Sequence, residues 1–233
     1  MTRRVSSEIE IIEWDEFIDS MRWKQGEHVS LIGPTGAGKT TLALELLPKR
    51  RYVVVLGTKP KDSTLSKLKG QGYETVRKWP EHVSTEIHPR MVLWPTFSRP
   101  GDAKKQQREI GKALSEIFAQ GGWTVFADEL RYISQTLKLG GMLELIWQQG
   151  RSLGVSLVGG TQRPAHVPLM LYDQATHLFF WRDNDEANLK RIGGLGHIDS
   201  KLIRETVGNL PKHSTLYLNT RTGRMAVTKV DLG

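Results

Sequence analysis

The chain has 233 residues, of which 38% are hydrophobic and 25% charged, and it contains no cysteine. That length supports one domain with a full core and excludes a disulfide framework and thiolate chemistry. No apolar run approaches the roughly 20 residues of a spanning helix. Met1-Thr2-Arg3-Arg4 lacks the apolar stretch of a secretory signal, so a soluble, cytoplasmic chain with no integral membrane segment is expected. The net charge is +8, and residues 45–112 carry 15 Lys and Arg against 7 Asp and Glu, which accounts for all of it. A basic surplus concentrated in one stretch points to a polyanion partner.

Residues 1–13 read as an extended arm, with Val5, Ile9 and Ile11 as strand signals. Trp14, Phe17, Ile18 and Met21 recur at helical spacing and predict a short amphipathic helix that packs on the core edge. His28–Ile32 is an apolar run and predicts a buried strand. Gly33-Pro34-Thr35-Gly36-Ala37-Gly38-Lys39-Thr40 follows and fits the pattern G-x-x-x-x-G-K-[ST] at every fixed position. Thr41–Leu47 reads as the helix after it, ended by Pro48. Strand, glycine turn and helix N-terminus together aim backbone N–H groups at a phosphate. In this reading 33–41 cradle a nucleotide, the Lys39 ammonium faces the β- and γ-phosphates, and the Thr40 hydroxyl is a Mg²⁺ ligand.

Tyr52–Gly57 predicts a central parallel strand, and Thr58–Asp62 leaves its ligand-facing end. Ser63–Lys69 reads as a short helix and Met91–Trp94 as a short strand. Asp102 is expected to cap a helix running to about Gln120. That helix opens with Lys104, Lys105 and Arg108, cations that oppose the helix dipole. Trp123–Glu129 predicts a further strand, followed by a loop and then a helix over 141–152. Strands are expected at Val155–Gly160 and Ala175–Trp181, and helices at Asp185–Ile192 and Ser200–Val207. Thr215–Asn219 and Arg224–Thr228 flank a turn and predict a β-hairpin. The alternation argues for a single α/β domain with a mostly parallel doubly wound sheet. It divides into an arm and short helix (1–27), a core (28–182) and C-terminal helices with the hairpin (183–233).

Asp128-Glu129 at the end of an apolar strand supplies the remaining chemistry. Asp128 is placed to hold the Mg²⁺ shell, and Glu129 to orient and deprotonate a water. Thr161-Gln162 ends the next strand, where an amide can bond the γ-phosphate or the lytic water.

The run 149–164, with Arg151, an apolar strand and then Thr161-Gln162-Arg163-Pro164, resembles the signature of the FtsK-HerA superfamily of DNA-pumping ATPases. With the glycine loop and Asp128-Glu129 the resemblance spans about residues 28–182. It implies a RecA-like P-loop NTPase domain, ATP and Mg²⁺ as cofactors, double-stranded DNA as partner and a homo-oligomeric ring, hexamer or pentamer. It also implies that Gln162 senses the γ-phosphate and that Arg151 is an arginine finger given to the neighbouring subunit. The chain departs from the family pattern at Gly57-Thr58-Lys59, where many relatives carry an acidic residue before the lysine. Its bare build is similar to viral genome-packaging ATPases, which would add a capsid or portal vertex as partner. The segments expected to face DNA are Lys59–Lys69, Arg99–Arg108 and the loop Ser134–Gly141. A conjugation- or segregation-type pump, a nucleotide-switched assembly factor and a small-molecule kinase are the rival readings.

Overall fold

The computed structural model describes residues 9–195 and 198–231; Val5 lies outside them. Ten strands form one sheet among the described residues. In chain order they are β1 (Ile9–Ile11), β2 (Val29–Ile32), β3 (Val53–Leu56), β4 (Glu74–Val76), β5 (Arg90–Leu93), β6 (Thr124–Ala127), β7 (Ser156–Thr161), β8 (His177–Trp181), β9 (Ser214–Asn219) and β10 (Met225–Lys229). Their spatial order is β1-β10-β9-β8-β2-β7-β6-β3-β5-β4. From β8 to β4 every neighbouring pair is parallel. Only β9 runs against the rest, pairing antiparallel with both β8 and β10. The fold is therefore α/β with a mostly parallel sheet and the expected C-terminal hairpin.

The central strands are buried throughout and mostly apolar because both faces are covered. Alternate residues point to opposite layers. Val54, Val125, Leu157 and Leu178 join one cluster, with Ile110 and Leu114, Ile146 and Ile203. Those side chains come from α4 (Ala103–Gln120), α5 (Gly140–Gln149) and α7 (Ser200–Asn209). Val53, Val55, Phe126, Val158 and Phe179 join the other, with Phe17, Leu42, Leu46 and Leu65. Those come from α1 (Trp14–Ser20), α2 (Lys39–Leu46) and α3 (Ser63–Lys67). A further helix, α6 (Glu186–Ile192), sends Ile192 into the first cluster. Each fully buried Leu or Phe contributes about 1.5–3 kcal/mol of transfer free energy. Phe17 sits edge-on to Phe179 and Tyr217, with ring centres 5.9 and 5.0 Å away, so α1 has the packing role its spacing predicts.

Several expectations need correction. The edge strand β4, with its two exposed residues, carries too little apolar signal to stand out in the sequence. The expected loop 134–141 holds a π-helical turn, Tyr132–Thr136, and α5 already starts at Gly140. The helix expected to reach Ser152 ends at Gln149 and tightens into a 3-10 turn, Gly150–Leu153. The turn Leu47–Lys49 takes in Pro48, as a 3-10 turn lets proline occupy a position whose N–H has no partner. Asp102 does not cap α4. It lies in a 3-10 turn and its carboxylate accepts from the Ser98 and Arg99 amides, at 3.0 and 3.2 Å. It also pairs with Lys105 at 3.1 Å, and Glu109 pairs with Arg108 at 2.9 Å. Two of the three cations that seemed to oppose the helix dipole are thus balanced locally.

Candidate active site

The glycine loop lies between β2 and α2, at the C-terminal edge of the sheet. Gly36 and Gly38 have φ of 73° and 110°, left-handed conformations that carry the loop's amides around a concavity. Gly33 closes β2 through a 3.1 Å bond from its amide to the Thr161 carbonyl. Lys39 opens α2 and is 6% exposed. Its ammonium donates to the Gly33 and Pro34 carbonyls, each at 2.7 Å. Burial pushes its pKa down, against the pull of Asp128 and Glu129.

Asp128 and Glu129 follow β6. Strand β7 separates β6 from β2, and Gly160 on β7 allows the crossing. A Cβ there would stand 2.5 Å from the Asp128 carbonyl. The Thr40 hydroxyl donates to Asp128 Oδ1 at 3.1 Å. Lys59 Nζ donates to Asp128 Oδ2 at 3.2 Å. The Gln162 amide nitrogen donates to Glu129 Oε1, and Gln162 Oε1 accepts from the Thr35 hydroxyl at 2.7 Å. Burial, with Asp128 beside it, raises the pKa of Glu129 above the ordinary carboxylate value. A half-buried carboxylate whose proton affinity is raised is suited to accept a proton from water.

These groups line a cleft of about 210 Å³, together with Gly36, Gly38, Thr41 and Thr64. A second cleft of about 530 Å³ adjoins it on the far side of the loop, lined by Pro34, Thr35, Gly36, Ala37, Trp181, Arg182, Asp183, Asn184, Lys212 and His213. Of the candidate residues, Lys39, Thr40, Asp128, Glu129 and Gln162 meet in the first cleft. Pro34 and Ala37 face the second. Lys59 belongs to the cleft, although its segment is expected to face DNA. The usable signal is its place just past the C-terminal end of an apolar strand, where loops of a doubly wound sheet face the ligand.

Arg151 does not join them. It precedes β7 at the N-terminal edge, whereas Gln162 follows β7 at the other. Six residues of strand put roughly 20 Å between those edges. Its carbonyl packs against Gly26, its side chain is exposed, and its guanidinium has no ion-pair or hydrogen-bond partner among the described residues. Arg151 is too far away to reach the cleft of its own chain.

Lys61, Lys67, Lys69 and Lys104 are exposed and likewise unpaired among the described residues. Gln106 on α4 is fully buried. It donates to the Thr58 carbonyl at 3.0 Å and accepts from the Tyr132 hydroxyl at 2.7 Å. The basic helix is thereby tied to the loops after β3 and β6. No helix among the described residues is long and apolar enough to cross a membrane.

A glycine loop, an adjacent carboxylate pair and a mostly parallel sheet define a P-loop NTPase fold. No protein-family model matches the chain, and no curated protein does. Solved structures do match. The chain is similar to B204, the DNA-packaging ATPase from Sulfolobus turreted icosahedral virus, with a TM-score of 0.62 and 17% identity over 90% of this chain and 100% of that one. It is similar to the genome packaging NTPase B204 from Sulfolobus turreted icosahedral virus 2 in complex with AMPPCP, with a TM-score of 0.60 and 16% identity over 89% and 98%. It is also similar to VirB4 of Thermoanaerobacter pseudethanolicus, with a TM-score of 0.64 and 10% identity over 88% and 89%. At 10–17% identity the likeness to these solved structures is one of fold.

Proposed function

We propose that the chain is an ATP-hydrolysing double-stranded DNA translocase, working as a homo-oligomeric ring in genome packaging. The observation that carries this is the convergence of Lys39, Thr40, Asp128, Glu129 and Gln162 on one cleft from three separate strand ends. Lys39 would exchange its two loop carbonyls for the β- and γ-phosphates. The Thr40 hydroxyl and the Asp128 carboxylate are hard oxygen donors 3.1 Å apart. They fit a Mg²⁺ ion, which takes few protein ligands beside phosphate oxygens and water. When bound, that ion would neutralise charge on the β- and γ-phosphates. Glu129 would accept the proton of the attacking water. Gln162 already bridges Glu129 and Thr35, and would report the γ-phosphate to both. Arg151 would complete the site of a neighbouring subunit, which fits its distance from its own cleft.

The exposed, unpaired Lys61, Lys67, Lys69 and Lys104 would neutralise DNA phosphates without reading bases. Gln106 would carry their displacement to the loops that hold Lys59 and Glu129. The motor core would be residues 28–182, flanked by the arm (1–27) and the C-terminal helices and hairpin (183–233), with a capsid or portal vertex as docking partner in the host cytoplasm. The likeness to the conjugation coupling protein TcpA, at a TM-score of 0.54, favours a conjugation-type pump as the second reading. The likeness to B204, a DNA-packaging ATPase, at a TM-score of 0.62 supports packaging as the first reading.

The test is ATP turnover with and without duplex DNA across a salt series. Stimulation that fades with salt is expected. Turnover indifferent to DNA, with no salt-dependent binding, would overturn the translocase reading.

A further inference from the structure

The Asp128 carboxylate is fully engaged. One oxygen takes the Thr40 hydroxyl and the other the Lys59 ammonium. Thr40 and Asp128 are the pair suited to a divalent cation, so Lys59 stands where that cation's charge would act. The backbone of Lys59 is fixed, because its carbonyl accepts the Trp94 indole N–H at 2.7 Å and Gly57 packs on the Trp94 ring. Its side chain is 46% exposed at the mouth of the cleft and is free to turn. Its other carboxylate neighbour, Asp62, is 3.8 Å away and already accepts the Thr64 and Leu65 amides at the start of α3.

The charges in the cleft balance as they stand, with Lys39 and Lys59 against Asp128 and Glu129. A nucleotide triphosphate adds about four negative charges, and a divalent cation offsets only two of them. A long, flexible ammonium beside the phosphates is the nearest further source of positive charge. Resting on the nucleotide-site reading above, we propose that Lys59 is an exchangeable counter-ion. It neutralises Asp128 while the cleft is empty, yields that carboxylate to the incoming divalent cation, and turns to the phosphates of the bound nucleotide. Lys59 is thus a phosphate-binding residue of the loaded site and a competitor of the metal in the empty one.

Two binding measurements on the full chain test this without turnover. One is Mn²⁺ binding to nucleotide-free protein, read by electron paramagnetic resonance. The other is binding of fluorescent, non-hydrolysable ATP analogue with Mg²⁺, read by anisotropy. Lys59→Met should bind Mn²⁺ several-fold more tightly and the analogue roughly tenfold more weakly, the scale of one charge-assisted bond. Lys59→Arg, which keeps the charge, should stay near wild type in both. Asp62→Asn should also leave both unchanged, which separates the counter-ion role from loop anchoring. If Lys59→Met alters neither while the wild type binds the analogue, Lys59 only anchors its loop and the proposal falls. A weaker analogue with unchanged Mn²⁺ binding would also overturn it, because no exchange at Asp128 would occur. A wild-type chain that binds no analogue at all would instead overturn the nucleotide-site reading beneath it.

Discussion

Two polar clusters lie at opposite edges of this sheet, and they are built differently. At the C-terminal edge, Lys39, Lys59, Asp128, Glu129 and Gln162 surround open space of about 210 Å³. Their partners are replaceable: backbone carbonyls for Lys39, a carboxylate for Lys59, an amide for Glu129. At the N-terminal edge, Glu27, His177, Tyr217 and Arg221 form a closed knot. His177 is fully buried, its Nε2 3.0 Å from Glu27 and its Nδ1 2.8 Å from the Tyr217 hydroxyl. Burial pushes the His177 pKa down, against the pull of the Glu27 carboxylate. Arg221 adds a 3.1 Å bond to the other Glu27 oxygen, and the Lys24 amide adds one of 2.9 Å. Both clusters bury charge, and only the first leaves room for a ligand to take over its bonds. Unspent bonding capacity beside a cavity, rather than buried charge itself, marks a site.

Chemistry and stability respond differently at the two ends. Glu129→Gln should bind ATP with a near-normal melting temperature and hydrolyse it about 10²–10⁴-fold more slowly. Arg151→Ala should be folded and lose roughly 10³-fold or more in turnover, the scale of an arginine finger. Mixed oligomers of these two variants should recover activity. Recovery fails to appear if Arg151 serves only its own helix terminus, and then its loss should leave catalysis normal.

At the closed end the order reverses. Glu27→Ala should leave nucleotide affinity intact and cost about 3 kcal/mol of stability, as buried pairs do when one partner goes. Calorimetry should show the melting point down by about 10 °C. A wild-type melting curve would mean the knot contributes nothing.

A smaller effect sharpens the same edge through pH. His28 is buried, its Nδ1 accepting the Leu157 amide at 2.9 Å, and burial pulls its pKa down to about 4. Its folded pKa lies below the unfolded value of 6.5, so the unfolded chain takes up a proton first as pH falls. Stability should therefore drop from about pH 6.5 downward and level off below about pH 4, losing about 2 kcal/mol between pH 7 and 5. Titration of the melting temperature with His28→Asn beside the wild type isolates that share.

The mildest change lies at the surface. Lys61, Lys67, Lys69 and Lys104 changed together to Gln should leave DNA-free turnover alone. The slope of log K for DNA against log salt should shrink by about 0.9 for each phosphate no longer neutralised. An unchanged slope would return this face to mere solubility.

Much of the molecule was legible in the sequence because its signals are local. An apolar run of four to six residues, a glycine pattern and a carboxylate pair after a strand each act within one turn or one strand end. From these followed the phosphate loop, the parallel core, the hairpin and the placement of Lys39, Thr40, Asp128 and Gln162 on one edge. What tertiary structure alone decided was pairing across distance. Lys59 meets Asp128 across 69 residues, His177 meets Glu27 across 150, and Arg151 is set at the edge away from its own cleft. Strand order determines these meetings, and it comes from how two apolar layers close over a twisted sheet, a property of the whole chain that no short window contains. The same holds for Asp102. Its spacing suits a helix cap, but the turn at 100–102 aims its carboxylate back at Ser98 and Arg99.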